Sequence, residues 1–495
     1  MAPHRGRIMT CLMVATTMQS LDTTIANIAL PHIQGSLAAT QEQMSWVITS
    51  YIVAAAVMTP LSAWIASRIG RKKFFLISIA AFTFSSTLCG MAQTLPQIVF
   101  FRLLQGLSGA AISPLSQAIL LDINPPERHA RAMAVWMTGV TIGPIFGAPL
   151  GAWITDYLNW RWVFYINVPA GLLCMLGLMG SLPETPPMRR SFDFFGFFTL
   201  SIATLSLQLM LDRGQLKDWF NAPEIWVEIT CTALGIYLFA VHTATVRESF
   251  INMRLFRDRN FSVGCALGVV ITFLMLGPLV LTTSLLQGLL QYPVMTAGFV
   301  ATSRAIGMVT ASSLLGRMLR YMDTRFVIAL GFAIAAIALG QMCRFHLQMH
   351  YSLVFWSGVI FGAGVGLASV SIATVAFATL PVHLRTEGAA VSGLVRNLGG
   401  SIGIAVTQTL LIRSTSVMQS RLAEHITPYK ALLFGQPDLS NTAGLIAING
   451  RVVAQATMLA YNNIFKLLLV IAVISMPLAF LFRKAAPQKV VAVIE

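Results

Sequence analysis

Four side chains hold most of the chemistry open to this chain: one carboxylate, Asp22, and three guanidiniums, Arg102, Arg304 and Arg396, each well inside a long apolar stretch. An Asp at mid-membrane costs about 2.5–3.5 kcal/mol even on lenient insertion scales, so such a residue reads as lining a pathway or a proton relay. Asp22 can take up and release a proton. Arginine in practice cannot, which makes Arg102 a fixed charge able to respond to the state of a nearby carboxylate. Burial favours the neutral acid and an adjacent guanidinium favours the carboxylate, so a change of conformation would tip Asp22 between them. The alternatives are that Arg102 snorkels to the outer interface and that Arg304 pairs with helix-end carbonyls. If the arginines face one cavity, with Gln19, Thr23, Asn27, Gln105 and Asn397 as its polar lining, that cavity favours neutral or weakly acidic amphipathic compounds over dications. Lys466, Asp122 and Glu228 lie near the ends of apolar runs and are expected to reach the interface.

The elements that must position these groups are membrane-spanning helices. Hydrophobic residues make up 56% of the chain and charged residues 10%, well below the roughly 25% charge of soluble domains. The reading is an all-α polytopic membrane protein. Apolar runs fall at about 8–30, 46–66, 74–93, 97–121, 132–154, 161–182, 194–211, 225–245, 261–287, 295–316, 326–345, 353–378, 388–412 and 461–482. Each is long enough to cross about 30 Å of hydrocarbon as a helix. The first run follows His4, Arg5 and Arg7 like a signal peptide, but its length, its polar residues and the lack of a small-residue cleavage site predict a retained helix.

The fourteen runs divide into six (1–182), two within a connecting region (183–260) and six (261–495), with a long polar outer loop at about 413–460. Residues 183–190, rich in proline and charge, read as a linker. Leu422, Ile426, Leu432, Leu433 and Phe434 give the outer loop apolar faces suited to a cap or a partner contact, while a solvated linker is the plainer reading. The net charge of +15 sits in short clusters between runs and not on one surface, which argues for membrane orientation over nucleic acid. Loops on the N-terminal side hold 21 Lys/Arg against 8 on the other side, placing both termini in the cytoplasm by the positive-inside rule. All six cysteines fall within the runs without metal-like spacing and read as packing residues. His346 and His350 lack a third ligand nearby, so no metal site is expected.

Two motifs bear on movement. Gly139, Gly143, Gly147 and Gly151 recur at four-residue spacing with Pro144 and Pro149 among them, leaving a groove without side chains on a helix bent by its prolines. Close helix packing alone would account for it. The cluster Arg68-Ile69-Gly70-Arg71-Lys72-Lys73 follows the second run, and Gly316-Arg317 with Asp323-Thr324-Arg325 holds the corresponding place in the second block. Topology explains much of the first cluster, yet the faint repeat fits a transporter with two rocking halves.

On these residues the chain resembles the major facilitator superfamily, specifically the fourteen-helix drug/proton antiporters of the EmrB/QacA group. Leu21-Asp22-Thr23-Thr24-Ile25-Ala26-Asn27-Ile28-Ala29-Leu30-Pro31 looks like that group's first-helix signature and Arg102-Leu103-Leu104-Gln105-Gly106 like its proton-translocation motif. The glycine stripe looks like its antiporter motif, and Trp160-Arg161-Trp162-Val163-Phe164-Tyr165-Ile166-Asn167-Val168-Pro169 is also similar to these proteins. Leu211-Asp212-Arg213-Gly214 with Asp218-Trp219-Phe220, and residues 255–261, resemble the EmrB type. In the loop signature Arg68, Gly70, Arg71 and Lys72 are kept, but Ala63 and Ser67 replace the usual Gly and Asp, which puts gating by that Asp in doubt.

The resemblance implies a major facilitator fold in the bacterial inner membrane that exports toxic compounds in exchange for protons, bound at Asp22 and coupled through Arg102. It implies no cofactor, and as partners a periplasmic adaptor (an EmrA-like membrane fusion protein) and an outer-membrane channel (TolC-like). Independently, the chain contains no phosphate-binding loop and no soluble domain to hold one, which leaves an ion gradient as the energy source. An importer on the same fold is the alternative, ahead of a scaffold or an embedded enzyme, for which no paired carboxylates or activated nucleophile stand out.

Overall fold

Fourteen hydrophobic runs call for helices whose backbone polar groups are satisfied within each segment, because lipid offers no partners. A computed structural model, described over residues 5–125, 128–182, 184, 191–246, 249–424, 426 and 442–483, contains only helices and connections among those residues. The first block is formed by α1 (Arg5–Leu37), α2 (Gln41–Ile69), α3 (Arg71–Met91), α4 (Leu95–Gly109), α5 (Ile112–Ile123), α6 (His129–Tyr157), α7 (Trp162–Tyr165) and α8 (Asn167–Met179). A hairpin follows, α9 (Phe194–Arg213) and α10 (Pro223–Thr245), then the short α11 (Arg254–Arg257). The second block is α12 (Arg259–Ser284), α13 (Val294–Tyr321), α14 (Thr324–Met342), α15 (Tyr351–Ala378), α16 (Arg385–Ala423) and α17 (Thr442–Leu478).

Among the described residues twelve segments are long and apolar enough to cross a membrane, with α4 and α5 forming one of them and α7 and α8 another. The two runs that do not qualify are α1 and α13, both long helices. Their polar content explains it: α1 carries Gln19, Ser20, Asp22, Thr23, Thr24 and Asn27, and α13 carries Thr302, Ser303 and Arg304. The polar outer region expected at 413–460 is largely helix where described, because α16 continues to Ala423 and α17 begins at Thr442. The linker, apart from Glu184, lies outside the described residues, as do Leu432, Leu433 and Phe434.

Three of the acidic residues are used at helix starts. Asp193, Asp258 and Asp323 cap α9, α12 and α14, accepting the N–H groups of Gly196, Phe261 and Arg325. Burial works against the Asp193 carboxylate, but the N–H groups of Gly196 and Phe250 and the His242 ring hold it below the usual carboxylate range. Between α2 and α3 the chain turns at Gly70, whose φ of 90° an L side chain would resist.

A shared apolar cluster joins the two blocks at one end. Phe75, Leu115 and Ile119 of the first block share a cluster with Phe261, Leu315, Phe377 and Leu384 of the second, at the end where α1 begins. Toward the other end the clusters separate, one around Ile25, Ile33, Val47 and Trp160 and one around Leu274, Phe332, Phe361 and Phe465. The joined end is also pinned by charge: Asp122, at the tip of α5, pairs with Arg71 of its own block and, at 3.3 Å, with Arg385 of the second. Asp122 is thus a junction between blocks and not merely an interfacial charge. The hairpin touches both blocks: the Trp219 indole donates to the Thr409 hydroxyl on α16 at 3.0 Å, and the Arg213 guanidinium lies over the Trp46 ring on α2.

The glycine stripe of α6 receives α1. A Cβ at Gly143 would stand 2.7 Å from the Leu21 nitrogen and the Ser20 Cβ, and one at Gly147 would stand 2.9 Å from the Thr24 Cβ. A Cβ at Gly139 would stand 3.2 Å from the Thr17 hydroxyl and one at Gly151 3.2 Å from Ile25 Cγ2, and the Thr17 hydroxyl donates to the Gly139 carbonyl at 2.8 Å. Pro144 and Pro149 lie on the same helix without ending it. Close packing is therefore what the stripe does, and the helix it seats is the one that carries Asp22. Gly143→Leu is expected to destabilise the bundle by about 1–3 kcal/mol, as overpacking does; denaturation in micelles checks this, and an unchanged midpoint would contradict the close approach.

Candidate functional site

The most polar place in the first block lies where α1, α2, α3, α4 and α8 meet. Arg102 projects from α4 and its Nη1 donates to Asp22 Oδ2 at 2.7 Å, with both side chains almost wholly inaccessible. The same Nη1 donates to Gln105 Oε1 at 2.8 Å, and Nε donates to the Val47 carbonyl at 3.3 Å. The guanidinium lies 4.5 Å from the centroid of the Tyr51 ring and 5.8 Å from that of Phe164. Asp22 Oδ1 accepts from Gln105 Nε2 at 2.9 Å and from Asn167 Nδ2 at 2.7 Å. Asn167 also donates to the Ser86 hydroxyl at 2.9 Å, which in turn donates to the Phe164 carbonyl at 2.8 Å.

Local sequence explains the assembly. Gly106 faces the backbone of α2, where a Cβ would stand 2.3 Å from the Tyr51 carbonyl oxygen, so α4 approaches closely enough for Arg102 to reach Val47. The span then breaks between Gly109 and Ile112, and Gln19 Nε2 donates to the Gly109 carbonyl at 2.8 Å. Arg102 and Gln105, one helical turn apart, present donors to both oxygens of Asp22. The result is a neutral ion pair with three donors on the carboxylate. Removing one partner of such a buried pair typically costs about 3–5 kcal/mol, because the remaining charge is stranded.

The expected cavity residues divide. Gln105 is fully buried beside Asp22, its amide used on both Asp22 and Arg102. Gln19 is spent on the helix break, and the Thr23 hydroxyl on the Ser20 carbonyl. Asn27 and Asn397 are exposed. Arg396 reaches across to the first block, Nη2 to Gln117 Oε1 at 3.4 Å. Arg304 lies in the second block, where its Nη2 donates to the Pro278 carbonyl at 2.8 Å and to the Thr282 hydroxyl, an arrangement close to the carbonyl pairing considered as an alternative. In the loop cluster Arg68 is exposed beside the Trp64 ring, Arg71 holds Asp122, and Lys72 stands 3.9 Å from Glu184. Ser67 hydrogen-bonds to its own helix at the Trp64 carbonyl, and Asp122 supplies the carboxylate that the loop lacks. His350, weighed above with His346 as a metal ligand, caps α15 through Ser352.

Three participants were not picked out as site residues from sequence: Asn167, Ser86 and Tyr51. Asn167 has a usable signal, a lone amide at the start of an apolar helix inside the 160–169 motif.

Comparison with known proteins gives the family and the fold. A profile of the Major Facilitator Superfamily matches residues 12–404. The multidrug export protein EmrB of Haemophilus influenzae is 34% identical over 464 residues, covering 92% of this chain and 91% of its own. EmrB of Escherichia coli strain K12 is 35% identical over 421 residues, covering 84% and 82%. The fatty acid resistance protein FarB of Neisseria gonorrhoeae is 34% identical over 478 residues, covering 94% of each chain. Among solved structures, the human organic anion transporter MFSD10 superposes with a TM-score of 0.61 at 13% identity over 95% of this chain and 100% of its own. The xylose symporter XylE superposes at 0.59 and 14% identity over 94% of each chain. At such identities these two speak for the fold alone.

Asn167→Ala leaves Asp22 Oδ1 with one donor instead of two, and a loss of about 1–3 kcal/mol in unfolding free energy is expected. Denaturation of the variant in micelles measures it, with Thr23→Ala as a control whose hydroxyl bonds only within its own helix. Equal stability of both variants would show that the Asn167 amide contributes nothing.

Proposed function

The chain belongs to the major facilitator superfamily as an EmrB-like multidrug exporter, and from that premise we propose that it exchanges inward-moving protons for hydrophobic neutral or weakly acidic compounds. The observation that carries the reading is the sealed Asp22–Arg102 pair: one titratable carboxylate, held by three donors, in a helix bundle. Proton binding at Asp22 would dissolve the charge attraction to Arg102 and release the guanidinium from its anchor. Because α6 grips α1 along the glycine stripe, displacement of α1 by that event passes directly to α6.

On this reading the fourteen helices, α1 and α13 included, all cross the bacterial inner membrane with both termini in the cytoplasm. The end joined by the shared apolar cluster and by the Asp122 pairs is then the cytoplasmic one. A conformation closed inside and open outside is the one that receives protons and discharges substrate. A relative named for fatty acid resistance supports neutral or acidic cargo. Exchange of one proton inward for one monoanion outward moves two charges, worth about 4.6 kcal/mol per 100 mV at roughly 2.3 per charge. The helical extensions of α16 and α17 offer a surface for a periplasmic adaptor of the EmrA type, with a TolC-like channel completing a tripartite pump.

The test is export of a lipophilic weak acid from liposomes under an imposed pH gradient. Asp22→Asn is expected to lower the gradient-driven rate at least tenfold while leaving downhill exchange measurable. Undiminished gradient-driven export by Asp22→Asn would sink the proton role.

A further inference from the structure

The motif Leu211-Asp212-Arg213-Gly214 with Asp218-Trp219-Phe220 supplies no partner to Asp22 or Arg102, yet the fold places it one helix away from them. It forms the turn between α9 and α10. Gly214 makes room for an indole, since a Cβ there would stand 2.9 Å from the Trp219 ring. Asp218 and Trp219 both take left-handed backbone, with φ of 53° and 50°, which costs L residues free energy and persists where the surroundings enforce it. The Trp219 N–H donates to the Gly214 carbonyl at 2.7 Å, and the Asn221 amide donates to Asp218 Oδ2 at 2.6 Å. Both bonds fix the direction of the indole.

This end of the hairpin grips two helices. The indole N–H reaches the Thr409 hydroxyl of α16 at 3.0 Å. On α2, the Arg213 guanidinium carbon lies 5.2 Å from the centroid of the Trp46 ring, while Asp212, which accepts from Gln208 Nε2 at 3.0 Å, lies beside the Thr49 hydroxyl. The helices α2 and α16 pack on each other across the block boundary. The gripped stretch of α2 is also the one that cradles Arg102: Val47 lends its carbonyl at 3.3 Å and Tyr51 its ring at 4.5 Å. At about 100° per residue, positions 46 and 49 share one face of α2 and position 51 stands on the other. One turn of helix is thus held between the hairpin and the ion pair.

We propose that Arg213 and Trp219 are positioning residues for proton coupling: they set where α2 stands against α16, and through Val47 and Tyr51 they set how firmly Arg102 meets Asp22. The inference rests on the proton exchange at Asp22 proposed above and adds what ties that site to the second block. The effect goes through position and not through charge. Among the described residues the other titratable groups facing the pair are Tyr51 of α2 and Cys89 of α3, and α5, α6 and α8 bring none. Arg213 and Lys217 are themselves paired with Glu224, at 3.5 and 3.9 Å. Loosening the cradle weakens the hold of the cation on Asp22, and a carboxylate with a weaker cation partner takes up a proton at higher pH.

The experiment uses wild type, Arg213→Gln, Trp219→Phe, Thr409→Val and, as a control, Trp226→Phe, whose indole bonds only within the hairpin, to the Phe220 carbonyl. Two quantities are measured: the pH of half-maximal gradient-driven export of a lipophilic weak acid from liposomes, and unfolding in micelles with and without Asp22→Asn. Arg213→Gln and Trp219→Phe are expected to move the export midpoint upward by about 0.5 unit or more. Thr409→Val is expected to reproduce the Trp219→Phe shift, and the two together to add nothing, because they remove the same bond. Asp22→Asn is expected to destabilise the Arg213→Gln protein less than it destabilises wild type, while Trp226→Phe changes neither quantity. An export midpoint that stays in place, or stability losses that simply add, overturns the assignment. Should wild type show no gradient-driven export, the antiport reading fails and the stability cycle decides alone: non-additive losses support the positioning role, and additive losses overturn it.

Discussion

An ion pair shut inside a helix bundle must have every donor and acceptor met, and much of the first block is arranged around that requirement. Asp22 and Arg102 are each expensive alone in hydrocarbon. Together they persist because α2 lends a carbonyl, α8 an amide, and α4 a glutamine one turn along from the arginine. The glycines follow from the same demand: Gly106 lets α4 close on α2, and the stripe on α6 seats α1 at a depth that no side chain would permit. Packing and polarity are one design here, since the short approach distances that the glycines allow are what bring the donors within reach.

The two blocks solve the problem of a buried arginine in opposite ways. In the first, the charge is neutralised inside the protein. In the second, Arg304 is held by neutral oxygens. A pair of halves with the same helix plan thus carries different chemistry, and sequence similarity between the halves was correspondingly faint, confined to short loops after the second helix of each.

Much of this was legible in the sequence because hydrocarbon is a severe solvent. An Asp or an Arg in an apolar run announces itself, and glycines four apart mark the face along which a helix can be approached. What could not be read was which neutral polar groups would be drawn in. Asn167 and Ser86 look like any amide or hydroxyl near a helix end, and only the crossing of α3 and α8 beside α1 gives them a role. Gln105 was legible as functional but not in its placement, since spacing along a helix fixes direction and says nothing of which neighbour lies there. The helices α1 and α13 are the converse case: the residues that give them their interest also lower their hydropathy.

The departure at Ser67 has a consequence for how the blocks come apart. Asp122 is shared by two guanidiniums, one from its own block and one from the other. Were the blocks to separate, Asp122 would keep Arg71, and Arg385 would lose its anion. The seam would therefore open without stranding a carboxylate, and the charge set loose would sit on a side chain that is buried while the seam is closed. A catch built this way has one moving jaw, and it is the arginine of α16.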